Sequence, residues 1–228
     1  MSFDWHGESA SQWNRMSKHW QQNSKEMWEE GSRIKIIPLF IKHLSLDSGT
    51  ILDAGCGDGY GTRKMARLGY HMIGIDISKD MIEEAKSQQG HLPIQFIQAD
   101  VVSLPFQDDS FDGVLSINCL EWIQSPLTGL RELKRVLKPG GRLCLGILGP
   151  TAAPRQHSYK RLYGEEVICN TMMPWECARL LEENGFRILD QEGVYKKGVQ
   201  EGQLGSLSLE LKQALTFMWL FIVEKQPT

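Results

Sequence analysis

Ile51-Leu52-Asp53-Ala54-Gly55-Cys56-Gly57-Asp58-Gly59-Tyr60-Gly61 is the stretch on which the reading of this chain turns. An apolar pair leads into an acid, and glycines then occupy every second position. The run predicts a buried strand that turns sharply into a helix N-terminus. Glycine lets the backbone turn tightly and lets a ligand approach with no Cβ in the way. Exposed N–H groups at a helix start favour polar or anionic ligand groups. The stretch therefore predicts a nucleotide-like cofactor site. It is not the dinucleotide fingerprint G-x-G-x-x-G. Counted from Gly55 the third glycine position holds Tyr60, and counted from Gly57 it holds Thr62.

Working outward, apolar runs and helical patterns alternate. Strands are expected at 50–54, 71–75, 94–98, 111–117 and 142–148, and helices at 59–68, 79–89 and 125–137. Ser78 suits an N-cap, and Pro139-Gly140-Gly141 stops the third of these helices. Such alternation implies right-handed βαβ units and a parallel sheet covered by helices. Upstream, 8–30 reads as a helix whose Trp13, Met16, Trp20, Met27 and Trp28 fall close to one face. Arg33 to Leu44 gives a second helical pattern, in which Pro38 predicts a kink or two short pieces. Past Gly149 the pattern changes. Residues 150–173 show little periodicity. Pro174 to Asn184 reads as a helix ended by Gly185, and strands are expected at 186–194 and 215–223.

The form D-x-G-x-G-x-G resembles the signature of class I S-adenosylmethionine (SAM)-dependent methyltransferases. Further segments arrive in that family's order: Gly74-Ile75-Asp76-Ile77-Ser78, with its acid 23 residues after Asp53; Ala99-Asp100-Val101; Phe111-Asp112-Gly113-Val114-Leu115-Ser116; and Val136-Leu137-Lys138-Pro139-Gly140-Gly141. Together they resemble the small-molecule type, the group of ubiquinone and menaquinone biosynthesis methyltransferases. The likeness is good from about 50 to 148 and poor after Gly149. It implies an α/β, Rossmann-like seven-stranded sheet of order 3-2-1-4-5-7-6 with strand 7 antiparallel, helices on both faces and an N-terminal helical lid. It also implies one domain over 1–228: a helical cap at 1–48, a SAM-binding half at 49–149 and an acceptor-side half at 150–228.

The same resemblance assigns roles. Asp76, with Ile77, receives the ribose hydroxyls. Asp100, with Val101, meets the adenine. Asn118 borders the methionyl part, on which Asp53 acts, often indirectly, and Gly55, Cys56 and Gly57 belong to the cofactor-binding set. Trp13-Asn14-Arg15-Met16-Ser17-Lys18-His19-Trp20 resembles the family's Y-D-x-x-A-x-x-Y pattern. Its second aromatic, Trp20, either approaches the methionyl end or packs on the core. Arg33 stands where the family often carries an arginine for the SAM carboxylate; the alternative is a helix-surface arginine. Glu121 reads as a base or as a supporting acid. His157, Tyr159 and Tyr163 are candidates to line the acceptor pocket. SAM carries an already activated methyl, so positioning supplies most of the catalysis. No catalytic residue is assigned, and no metal ligands are evident.

Composition sets the remaining bounds. A chain of 228 residues, 41% hydrophobic and 23% charged, suits one domain with a sizeable core. The net charge of -3 provides no global field for nucleic acid or an anionic membrane. Two local basic clusters (Lys134, Arg135, Lys138, Arg142; Arg155, Lys160, Arg161) read as solvated surface. The odd cysteine count without C-x-x-C argues against a disulfide framework or zinc site. Neither a secretory signal nor a bilayer span is visible, so a cytoplasmic location is expected. Position 118 begins Asn118-Cys119-Leu120-Glu121, without the Asn/Asp-Pro-Pro-aromatic run of enzymes that methylate bases or amides. The expected reaction is methyl transfer from SAM, leaving S-adenosylhomocysteine, to a small-molecule acceptor, with no nucleic-acid or membrane partner. A methyltransferase of macromolecules and a non-catalytic SAM-binding protein remain alternatives. An NAD oxidoreductase is disfavoured by the glycine spacing.

Overall fold

The computed structural model describes residues 3–44 and 48–227. Residues 1–2 and 45–47 of the expected cap, and Thr228, lie outside the described residues. Seven strands form one sheet: β1 (Thr50–Ala54), β2 (His71–Asp76), β3 (Ile94–Gln98), β4 (Phe111–Ile117), β5 (Leu137–Leu148), β6 (Phe186–Tyr195) and β7 (Thr216–Lys225). Their order is β3-β2-β1-β4-β5-β7-β6. The first five run parallel, and β7 is antiparallel to both β5 and β6. This is the order expected above. The direction of winding reverses between β1 and β4, where ligands of open α/β sheets bind beyond the carboxyl ends of the strands.

β1, β4 and β7 are buried along most of their length because both faces are covered. Leu52, Val114, Leu143, Leu145 and Phe221 belong to one core. Their neighbours Ile51, Leu115, Cys144, Leu220 and Ile222 belong to the other. α5 (Pro126–Val136) and α6 (Pro174–Glu183) bury Leu130, Leu133 and Leu181 in the first. α2 (Ile36–His43), α3 (Tyr60–Arg67) and α4 (Lys79–Ser87) bury Phe40, Met65 and Ile82 in the second. Ser78 caps α4, its hydroxyl accepting from Met81 N at 3.1 Å.

Three local expectations are corrected. Pro38 neither kinks nor splits α2. It sits in the first turn, where a missing N–H leaves no bond unmade. β5 begins at Leu137, not 142: Phe111 pairs with Leu137 and Gly113 with Arg142, so Pro139-Gly140-Gly141 forms a bulge within the strand. A short helix, α7 (Leu209–Ala214), precedes β7, and the irregular stretch after Gly149 contains a 3₁₀ segment, Ala153–Tyr163.

α1 (Trp5–Glu29) is one 25-residue helix ahead of the sheet. Its inward face carries His6, Ser9, Trp13, Ser17, Trp20, Ser24 and Trp28, successive steps of three or four residues. Trp28 is buried against Gly61, where an added Cβ would come within 2.4 Å of the indole. Asn14 Oδ1 accepts from Ser78 Oγ at 2.6 Å, which ties α1 to the start of α4.

Candidate cofactor and acceptor site

The carboxyl ends of the strands and the inner face of α1 enclose a cavity of about 360 Å³. Ten of the eleven residues expected at a cofactor site line it: Trp20, Arg33, Gly55, Cys56, Gly57, Asp76, Ile77, Asp100, Val101 and Asn118. The exception is Asp53. It is 4% exposed and sits behind the loop, where its carboxylate accepts from Thr62 Oγ1 at 2.6 Å. Burial and the nearby Asp76 and Asp58 carboxylates push it up to about 7, against the opposing pull of Thr62 and Arg33. Its contact is with the first turn of α3, so it braces the turn between β1 and α3 from within.

The glycine loop has the form its sequence required. Gly57 has φ +56°, and a Cβ there would stand 3.2 Å from Trp20 Nε1. The loop therefore runs close beneath the indole, which would have to shift by a few tenths of an ångström to admit a side chain. Gly59 has φ +71°, and its absent Cβ would lie 2.6 Å from Phe96. Both positive φ values disfavour larger residues, and at Gly59 the close approach to Phe96 excludes them as well.

Asp76 sits across this loop. One carboxylate oxygen accepts from Gly57 N at 3.0 Å and the other from Ser78 N at 2.9 Å. Burial pushes the group up to about 6, and the backbone N–H bonds oppose that rise. Asp100 is a cavity residue and not a solvent-facing loop acid. Its Oδ1 accepts from Val102 N at 3.1 Å, and its Oδ2 lies 2.6 Å from His6 Nδ1. Sequence reading missed His6. Its place on the inner face of α1, about two turns before Trp13, was the available signal.

Arg33 is also inside and not on a helix surface. It is 8% exposed, and its Cζ lies 4.7 Å from the Trp20 ring centroid and 5.5 Å from that of Trp28. Among the described residues its side chain has no hydrogen-bond partner. Burial draws it down to about 10, and the carboxylates of Asp58 and Asp53 oppose this. A cation stacked on two indoles with its N–H groups unused is an anion receptor.

Past β4 the backbone enters the left-handed region at Asn118 (φ 52°), and Asn118 N donates to Gly146 O at 2.9 Å. A residue held so at a strand end reorients the chain toward the cavity. Glu121, by contrast, is fully buried and does not line the cavity. Its Oε1 accepts from Leu148 N at 2.5 Å and from Asn118 Nδ2 at 3.3 Å. Burial raises its pKa. It supports the wall and does not reach into it.

Arg155 was expected on a basic surface and is instead buried. Its guanidinium donates to Gly149 O at 2.9 Å and to Leu148 O and Met172 O, each at 2.6 Å. Arg142 pairs with Glu224 at 2.5 Å and Lys138 with Asp112 at 2.5 Å, so the other basic cluster is largely engaged as well. His157, Tyr159 and Tyr163 are exposed and lie outside the cavity lining. Cys56 and Cys119 do line it, with thiols pushed up by burial, so neither is a ready nucleophile. Among the described residues no three His, Cys, Asp or Glu side chains are grouped to hold a metal.

Part of the remaining wall is aromatic. Trp13 and Trp122 meet edge to face, 5.3 Å apart at 81°, and Trp13 meets Trp20 likewise at 5.8 Å and 80°. Trp5 Nε1 donates to Trp122 O at 2.7 Å, fastening the start of α1 to the same wall.

Comparison with known proteins agrees with this geometry. The family model described as a methyltransferase domain matches residues 52–145. An O-methyltransferase, resE, of Aspergillus sclerotiorum is 31% identical over 218 residues, covering 86% of this chain and 82% of its own. A demethylmenaquinone methyltransferase of Clavibacter sepedonicus is 41% identical over 96 residues, 42% of this chain and 39% of its own. Among solved structures, a SAM-dependent methyltransferase of Mesorhizobium loti superposes with a TM-score of 0.64 at 21% identity, covering 82% of this chain and 96% of that one.

Proposed function

Because this chain belongs to the class I SAM-dependent methyltransferases, we propose that it transfers the SAM methyl group to a small-molecule acceptor enclosed beneath α1. One observation carries the reading of the site. Arg33, buried and with no hydrogen-bond partner among the described residues, and the Asp76 carboxylate, which accepts from Gly57 N of the glycine loop, line the same cavity. The two charges suit the two ends of an amino-acid-bearing nucleoside.

In this assignment Asp76 accepts the ribose hydroxyls and Asp100, beside Ile77 and Val101, takes the adenine amino group. Asp100, which lies against His6, would offer its carboxylate to the adenine amino group. Arg33 holds the carboxylate, with Trp20 over the methionyl end, and Gly55, Gly57 and Asn118 line its path. The cofactor supplies a methyl group already activated on a sulfonium. The chain's own part is to orient the acceptor behind that methyl and to keep water out, which in favourable intramolecular cases is worth roughly 7–11 kcal/mol. No side chain in the acceptor wall is needed as a nucleophile.

Small-molecule acceptance is supported by the siting of the cavity beneath α1, by the burial of Arg155, which removes a cation from any phosphate-binding surface, and by the demethylmenaquinone named for one of the relatives. No helix of the described residues is long and apolar enough to cross a membrane. Calorimetric titration with SAM, S-adenosylhomocysteine and NAD tests the cofactor, with the first two expected to bind and NAD not. Labelled SAM incubated with cell extract then tests the acceptor. Label confined to protein or nucleic acid would refute the small-molecule reading.

A further inference from the structure

α1 is tied to the loop after each of β2, β3 and β4. Past β2, Ser78 Oγ donates to Asn14 Oδ1 at 2.6 Å. Past β3, Asp100 Oδ2 lies 2.6 Å from His6 Nδ1. Past β4, Trp122 O accepts from Trp5 Nε1 at 2.7 Å. The second of these ties touches a side chain assigned to the cofactor itself. Resting on the function proposed above, we infer that His6 is a positioning residue for the cofactor. From α1 it fixes the Asp100 carboxylate as a preset acceptor for the adenine amino group, and so sharpens the preference for an amino over an oxo purine.

The surroundings of Asp100 carry the argument. A carboxylate only accepts, and it has room for about four hydrogen bonds, so Nδ1 is the donating nitrogen of His6. Within its own turn Asp100 has one donor, Val102 N, at 3.1 Å from Oδ1. The last torsion of an aspartate is broad, and a single bond on one oxygen leaves the plane of the group loosely set. His6 supplies the second donor, on the other oxygen and from a different element. One donor on each oxygen fixes the plane and still leaves lone pairs for an incoming N–H. A group already oriented loses less freedom on binding.

His6 is held in turn. Asp4 caps α1, its Oδ1 accepting from Gly7 N at 3.0 Å. Trp5, bonded to Trp122, also packs on the cluster around Trp122, Leu148 and Ile168. Partly exposed ion pairs usually contribute little, because two side chains must be ordered to make them. Here the helix turn is anchored on both sides of His6, and both partners line the cavity. An oxo group brought to this place would set an acceptor against a fixed acceptor. Sites that leave polar groups unpaired reject the wrong ligand strongly.

The test varies one group on the purine and one on the protein. S-adenosylhomocysteine and S-inosylhomocysteine, in which an oxo group replaces the amino group, are titrated by calorimetry into wild type, His6→Ala, His6→Asn and Asp100→Asn. His6→Ala is expected to weaken S-adenosylhomocysteine roughly threefold to tenfold, the range of one hydrogen bond, and to leave the oxo analogue within about twofold of wild type. His6→Asn, whose amide N–H stands near the place of Nδ1, is expected to recover most of the loss. A helix that merely covers the site would lose affinity for both ligands alike in His6→Ala and gain nothing from asparagine. Equal losses for the two ligands, no loss for S-adenosylhomocysteine, or no recovery in His6→Asn would each overturn the role of His6. Asp100→Asn tests the reading beneath it. Unchanged S-adenosylhomocysteine affinity in that variant defeats the assignment of adenine to Asp100, and the inference with it.

Discussion

Arg33→Met separates a residue kept for the cofactor from one kept for the fold. In the wild-type protein the guanidinium gains its stacking on Trp20 and Trp28, worth on the order of 0.5–2 kcal/mol. It gives up its hydration, and with no hydrogen-bond partner among the described residues it recovers little of that loss. Methionine keeps much of the apolar contact and removes the desolvated charge. Folding stability is therefore expected to change by no more than about 1 kcal/mol near neutral pH, since these terms oppose one another.

The pH dependence has a definite sign. Arg33 helps hold down Asp53, which burial has raised to about 7. Without it the Asp53 carboxyl rises further, and its charged form is disfavoured more. The variant should thus lose stability relative to wild type as pH rises through about 7, and the difference should shrink below that. Cofactor binding should respond far more strongly. Losing hydrogen bonds between a charged pair costs about 1.5–3 kcal/mol, or roughly a 10- to 150-fold loss of affinity. The decisive assay compares two ligands by calorimetry: S-adenosylhomocysteine, which has the carboxylate, and 5′-methylthioadenosine, which lacks it. Only the first should weaken in Arg33→Met. Equal losses for both ligands, or no loss for either in a folded variant, would refute the assignment of Arg33 to the carboxylate.

Asp76→Ala is expected to weaken S-adenosylhomocysteine by about 1.5–3 kcal/mol, the range for hydrogen bonds to a charged group. Ribose hydroxyls donate and so favour the ionised carboxylate; affinity in the wild type should fall as pH drops through about 6, with proton release on binding near that pH. Calorimetry in buffers of different ionisation enthalpy measures both, and a flat affinity across that range would count against the contact. Glu121→Ala leaves the buried Leu148 N–H without its 2.5 Å acceptor, so a loss of about 1–3 kcal/mol is expected in denaturant titration. Glu121→Gln retains an acceptor oxygen and should lose less; equal losses in the two variants would show that this bond does not hold the wall.

The sequence by itself determined the nucleating parts of this protein, because their signals are local. A glycine at every second position after an acid, an acid at the end of the next apolar run, and a serine before a helical pattern each act over a few residues. They locate β1, the tight loop, Asp76 and the cap of α4 before any long-range contact is known. Tertiary structure decided what each side chain faces. Asp53 and Asp76 are both acids at strand ends, yet one turns inward to Thr62 and the other borders the cavity. Arg155 read as a surface cation and Arg33 as either a cofactor arginine or a helix-surface one; both are buried, the first bonded to three backbone carbonyls, the second stacked on indoles with no hydrogen-bond partner among the described residues. His6 meets Asp100 and Trp5 meets Trp122 across about a hundred residues of chain. Those pairings depend on how α1 lies over the finished sheet. Periodicity fixes which residues share a helix face, but it carries no information about which distant wall that face will cover.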